Sequence, residues 1–133
     1  MKKKVSSAII RWLPSFLWAI VIYALSSVEQ VATNQVFVLD FFLKKFAHLA
    51  EYAVLFVLIN RASYGNWILS FLLAIIYAAS DEFHQSLVPG RTASIIDLGI
   101  DFSGVNIAAY TLWKLGQTHP KKLKKLREIW QKP

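Results

Sequence analysis

The chain has no cysteine. Disulfides, thiolate nucleophiles and thiolate metal sites are therefore excluded, and nothing about compartment follows, because a core formed in lipid needs no covalent staples. Charge is also scarce. Only 17% of the 133 residues are charged and 56% are apolar, where a soluble domain carries about a quarter charged residues. The composition points to lipid as the solvent, and the length leaves room for one domain, 1–133. Several signatures of chemistry are missing as well: there is no serine nucleophile elbow, no P-loop and no zinc-type His-Glu-x-x-His. No internal repeat and no low-complexity stretch occurs.

The net charge of +7 suggests nucleic acid until its placement is considered. Lys2, Lys3, Lys4 and Arg11 stand near the start, and Lys114, Lys121, Lys122, Lys124, Lys125, Arg127 and Lys132 near the end. Basic blocks that flank apolar runs are topology signals and contacts for anionic lipid. No nucleic-acid partner is expected. Four apolar stretches lie between the blocks, at about 9–25, 41–59, 67–80 and 95–115. Each approaches the ~20 residues needed to span a bilayer, the third only if its helix runs on through Asp81 and Glu82. MKKK followed by an apolar run resembles a signal peptide, but no small-x-small cleavage site follows, so the first stretch is expected to stay as a helix.

The segment 26–40 has Glu29 and Asp40 and no Lys or Arg, whereas the link 60–66 has Arg61. The positive-inside rule then predicts both termini in the cytoplasm, and 12 of the 15 basic residues fall on that side. The fold class expected is an all-α integral membrane protein, a bundle of four transmembrane helices in the cell membrane, with a basic amphipathic tail at about 116–133 lying on the inner surface. Lys44, Lys45, His48, Glu51, Asp81, Glu82, Arg91, Asp97 and Asp101 all fall at the opposite, outer level.

At about 100° per residue, three stripes follow. In the second helix Lys44, Lys45, His48, Glu51 and Tyr52 share an arc of about 120°, with Phe42, Phe46, Ala50 and Ala53 behind it. Snorkelling accounts for the two lysines, but less well for the deeper His48 and Glu51. In the third, Ala74, Tyr77, Ala78, Asp81, His84 and Gln85 share a face, with Glu82 at its edge; the competing reading is that the acids are simply solvated at a helix end. In the fourth, Asp97, Asp101, Gly104, Ala108 and Thr111 align, and Gly104 and Ala108 suit close helix packing. Asp97 is either a site residue or the second half of a Ser94-x-x-Asp97 capping box, whereas Asp101 lies a turn deeper. Pro89-Gly90 marks a turn, after which Arg91 either holds the nearby carboxylates ionised or binds an anionic ligand group.

Two segments, KFAHLAEYAVL and DEFHQSLVPGRTASIIDLGIDFSG, resemble the VanZ-like family of membrane proteins. The first carries Lys45, His48 and Tyr52 at the family's Lys-x-x-His…Tyr spacing, with Glu51 beside them. The second carries Asp81, Glu82, Gln85, Pro89, Gly90, Arg91, Asp97, Asp101 and Gly104. Asp101 stands where the pattern has Asn or Asp, and Ala108 where it has a later Gly. The likeness covers about 41–108. It implies a bacterial cell-envelope protein related to one associated with resistance to the glycopeptide teicoplanin, and it supplies no reaction.

Three kinds of function remain open. One is lowered glycopeptide susceptibility through an outward-facing polar site. Another is a membrane-embedded hydrolase or transferase acting on an anionic envelope lipid or cell-wall precursor. Its catalytic candidates are His48, Glu82 and Asp101, and its binding candidates Lys45, Glu51, Tyr52, Asp81, Gln85, Arg91 and Asp97. The carboxylates and His48 are hard ligands for a divalent cation. Di-metal bundles, however, use Glu-x-x-His and only the reverse order occurs here, so neither metal nor other cofactor is expected. The third kind, a proton-coupled carrier, suits intramembrane acids but lacks an inverted repeat. Membrane lipids are the expected surroundings, and the oligomeric state is left open.

Overall fold

The computed structural model describes residues 2–28, 37–91 and 94–131. Glu29 and Lys132 lie outside the described residues, as do the side chains of Asp40 and Arg127. Five helices follow one another, α1 (Lys2–Ser26), α2 (Phe37–Ala62), α3 (Trp67–Gln85), α4 (Ile95–Thr118) and α5 (Pro120–Gln131), with no strand among the described residues.

Caps and turns explain the boundaries. Asn66 caps α3, its side-chain oxygen accepting from the Leu69 amide at 3.1 Å. Ser94 caps α4, its hydroxyl oxygen accepting from the Ile96 amide at 3.2 Å. Short polar residues suit these positions because they satisfy amides that have no partner within the helix. As the length of the third apolar stretch requires, α3 runs past Ser80 through Asp81 and Glu82 to Gln85. Between α3 and α4, Pro89 and Gly90 form the centre of a turn closed by the Arg91 amide on the Val88 carbonyl at 3.1 Å. Gly90 has φ 75°, a conformation that glycine adopts without steric cost.

α2 lies against α1, α3 and α4, and its longest contact is with α4. The core is built from Ile22 of α1, Tyr52, Leu55, Phe56 and Ile59 of α2, Ala74 and Ala78 of α3, and Val105, Ala108, Ala109 and Leu112 of α4. The alanines, with the buried Gly104, let backbones approach closely. A Cβ added to Gly104 would run into the backbone of Leu49, so α2 and α4 touch there without an intervening side chain.

The outward faces are apolar. Phe16, Phe46, Ile68, Ile76, Phe83 and Ile95 are among many large exposed apolar residues, whereas Asp81, Glu82, Gln85 and Asp101 are buried. That distribution reverses what water selects. Among the described residues three helices are long and apolar enough to cross a membrane: Ala8–Ser26 within α1, Trp67–Gln85 and Ile95–Thr118. α2 is the longest helix at 26 residues, but Lys44, Lys45, His48, Glu51 and Arg61 lower its hydropathy. α5 leaves Lys121, Lys122, Lys124 and Lys125 exposed and turns Leu123 inward near Gly116.

Candidate functional site

Four segment ends meet at one end of the bundle: the last turn of α1, the first half of α2, the last turn of α3 and the first turns of α4. Several of the residues that helical spacing groups into stripes face one another here in a definite set of pairs, whereas Thr111 is exposed and bonds to the Ile107 carbonyl of its own helix.

Asp101 is 1% exposed. Its Oδ1 lies 3.0 Å from Nδ1 of His48 across the α2–α4 contact. An ionised carboxylate only accepts, so Nδ1 carries the shared proton. One turn nearer the helix ends, Lys45 of α2 pairs with Asp97 of α4, and both side chains are only partly buried. Asp97 therefore serves as the partner of a lysine and not as the second half of the Ser94 capping box.

That half comes from another helix. The Ser94 amide donates to Oε1 of Glu82, on α3. Glu82, expected at the edge of its face, is 8% exposed, and its Oε2 is buried with no hydrogen-bond partner among the described residues. Asp81 beside it is fully engaged. Its Oδ1 accepts from the Ser26 hydroxyl at 2.6 Å, and its Oδ2 from the Tyr52 hydroxyl at 3.2 Å and the Gln85 amide at 2.9 Å. Three helices thus supply the donors that make burial of this carboxylate tolerable.

Glu51 is half-buried. Its backbone carbonyl accepts from the Trp18 indole at 2.9 Å, and its carboxylate lies within electrostatic reach of His48, Asp81, Asp101 and Arg91. Asp101 is likewise within reach of Glu82 and Asp81. His48, Glu51, Asp81, Glu82 and Asp101 therefore form one electrostatic cluster.

Arg91 makes its hydrogen bonds to backbone carbonyls. Its Nε donates to the Val28 carbonyl at 3.2 Å and a terminal nitrogen donates to the Leu25 carbonyl at 3.0 Å. The guanidinium thus holds carbonyls at the C-terminal end of α1, where a helix leaves acceptors unpaired and favours positive charge. It makes no ion pair with a carboxylate among the described residues. The tight turn at Pro89 and Gly90 explains this, since it directs the chain back over α1. His84 shares the face of Tyr77 and Asp81, and all three meet α1. It stacks on Tyr23, with ring centroids 4.4 Å apart, and its Nε2 lies 2.9 Å from the Ser27 hydroxyl. That hydroxyl already donates to the Tyr23 carbonyl at 2.7 Å, so His84 is the donor.

The three stripes include neither Ser26 nor Trp18. Ser26 closes an apolar run, a position that reads as a boundary; only its contact with Asp81 shows its use. Among the described residues no three His, Asp or Glu side chains are grouped so as to hold a metal ion. The chemistry that the arrangement offers is that of a carboxylate-oriented imidazole, with further carboxylates around it and Nε2 of His48 available to take or give a proton.

No curated protein and no solved structure matches the chain significantly. A family pattern does. VanZ/LLP1 matches residues 2–116, which takes in α1 to α4 and every residue of the cluster. The two segments around His48 and from Asp81 to Gly104 fall where α2, α3 and α4 converge, and the chain belongs to the VanZ/LLP1 family.

Proposed function

We propose that this is a single-domain, multi-pass protein of the bacterial cell membrane whose polar end faces outward and lowers susceptibility to glycopeptide antibiotics such as teicoplanin. Membership of the family supports the envelope role. The observation that carries a dedicated site is the pair of His48 with the fully buried Asp101. A charged group in lipid costs several kcal/mol, roughly, so its retention calls for a role.

Four spans are proposed. α2 has 26 residues, hence a length of about 39 Å, and its Lys45, His48, Glu51 and Tyr52 face protein while Phe42 and Phe46 face outward. With four crossings both termini lie in the cytoplasm, and α5 lies on the inner surface with its lysines toward anionic headgroups. Reporter fusions at residue 30 and residue 133 should report opposite sides; the same side for both rejects this topology.

A second reading is favoured by the same pair. With Nδ1 fixed by Asp101, His48 can act through Nε2 as a general base in hydrolysis or group transfer on an envelope lipid or wall precursor. In both readings deletion of the gene should raise teicoplanin sensitivity, and complementation with His48→Ala at equal expression should fail to restore it. Unchanged sensitivity on deletion would refute the resistance role.

A further inference from the structure

We propose that two copies of the chain pair in the membrane through the outward face of α4, with Asn106 against Asn106 across a twofold axis. The inference goes beyond the proposed antibiotic role and shares with it only the reading of α4 as a membrane span.

The observation that carries it is one polar side chain that a monomer leaves in lipid. Asn106 stands at the middle of α4, whose 24 residues are apolar enough to cross a membrane, and it is exposed. The hydrocarbon layer is about 30 Å thick, so the middle of a span lies roughly 15 Å from either headgroup layer, too far for so short a side chain to reach. The Asn106 Nδ2 donates to the Phe102 carbonyl at 2.7 Å. An asparagine has a second N–H and an oxygen acceptor, and here neither has a partner among the described residues. Lipid tails supply neither donors nor acceptors. Ser103 and Thr111 are exposed as well, but their hydroxyls donate to the carbonyls of Gly99 and Ile107 within α4. The outward faces at the same depth elsewhere are apolar: Phe16, Leu17 and Ile20 on α1, and Leu72 and Ile76 on α3.

The residues around Asn106 form a seam. Gly99, Ser103, Asn106, Tyr110 and Trp113 are all exposed. They follow one another in alternating steps of four and three residues and share an arc of about 80°. That alternation is the pattern by which two helices pack along their length at a shallow left-handed crossing. Gly99 and Ser103 let a neighbouring backbone approach closely. A Cβ on Gly99 would meet nothing within 4 Å, so its missing side chain serves no contact in its own chain, unlike that of Gly104. A second copy is the partner that this seam fits. An amide carries both a donor and an acceptor, so two asparagines facing each other across a twofold axis complete each other.

The test uses the full chain in liposomes of phosphatidylethanolamine and phosphatidylglycerol. The sequence has no cysteine, so a single introduced cysteine reports a single position. Ser103→Cys and Tyr110→Cys should form interchain disulfides on oxidation with copper phenanthroline, whereas Ile76→Cys, on the outward face of α3, should not. Energy transfer between donor- and acceptor-labelled chains should saturate as the protein-to-lipid ratio rises. Asn106→Leu should shift that curve to about tenfold higher density, the loss of an interhelical hydrogen-bonded pair, and Gly99→Leu should shift it at least as far. Both side chains point away from the bundle, so far-UV circular dichroism of the two variants, diluted to monomers in detergent, should be unchanged. A chain that stays monomeric at high density, cross-linking at Ile76→Cys as strong as at Ser103→Cys, or unchanged transfer for both folded variants overturns the proposal. A purified chain that stays monomeric while Ser103→Cys cross-links to another protein in cells assigns the face to that protein and overturns it too. If pairing fails while reporter fusions at residues 30 and 133 still report opposite sides, the dimer falls and the topology stands.

Discussion

Replacing Gly104 by alanine is the sharpest perturbation of the helix contact on which the cluster depends. The added Cβ would lie 3.0 Å from the Leu49 carbonyl carbon and 3.2 Å from its Cα, and closer still to the carbonyl oxygen. All three atoms are backbone, so no rotamer change relieves them. Ordinary contact requires α2 and α4 to separate by roughly 1 Å, and overpacking of this kind costs about 1–3 kcal/mol. Leu49 follows His48 directly, and Gly104 lies one turn beyond Asp101. The same separation stretches the His48–Asp101 contact from 3.0 Å to about 4 Å, beyond hydrogen-bonding range. Gly104→Ala should therefore lower the thermal midpoint in detergent by roughly 5 °C or more and impair function as Asp101→Ala does, although it removes no functional group. A variant with wild-type melting and full antibiotic phenotype would refute the reasoning, because α2 and α4 would then have slack that the backbone contact denies.

Arg91→Gln should loosen the end of α1, seen as faster amide exchange in the last turn of α1 and through Val28, with about 1–3 kcal/mol of stability lost for the charge-assisted bonds; unchanged exchange there would contradict the clamp. Asp81→Asn should be more damaging than Asp97→Asn when both are compared by thermal unfolding, because in either orientation the new amide nitrogen faces a donor, the Ser26 hydroxyl on one side or Tyr52 and Gln85 on the other, whereas Asp97 is partly exposed. A double-mutant cycle on Lys45→Met and Asp97→Asn should give a coupling of only about 0.5–1 kcal/mol, as solvent screens the pair, and a value several times larger would mean that it is drier than its exposure indicates.

The helical periodicity made the three stripes legible, because a residue's angular position depends only on spacing. Spacing alone puts His48, Lys45 and Tyr52 on one stripe of α2, Asp81 and Gln85 on one of α3, and Asp97 and Asp101 on one of α4. The pairing itself was not legible. Whether Arg91 meets a carboxylate or a carbonyl depends on where the turn at Pro89 and Gly90 sends the chain, and whether Asp97 caps its own helix or pairs with Lys45 depends on how α2 is rotated. Ser26 and the Ser94 amide gained their roles only when α1 and α4 came within reach of α3. Hydropathy marked where apolar runs begin, not where helices begin: α1 starts at Lys2, well before the apolar run at about 9–25, because lysine is a good helix former. α2 contains the apolar stretch at about 41–59, but its polar stripe keeps it out of the helices apolar enough to cross a membrane, although it is the longest helix among the described residues.

The central claim is that His48 and Asp101 act as one unit in whatever this polar end does. Groups that act as a unit show losses that do not add. The most direct test is teicoplanin susceptibility in a deletion strain complemented, at equal membrane expression, with His48→Ala, Asp101→Ala and the double variant. Each single substitution should abolish complementation, and the double should be no worse than either. Full complementation by both single variants, or independent partial losses that add in the double, would contradict it and leave the pair as a device for holding α2 to α4.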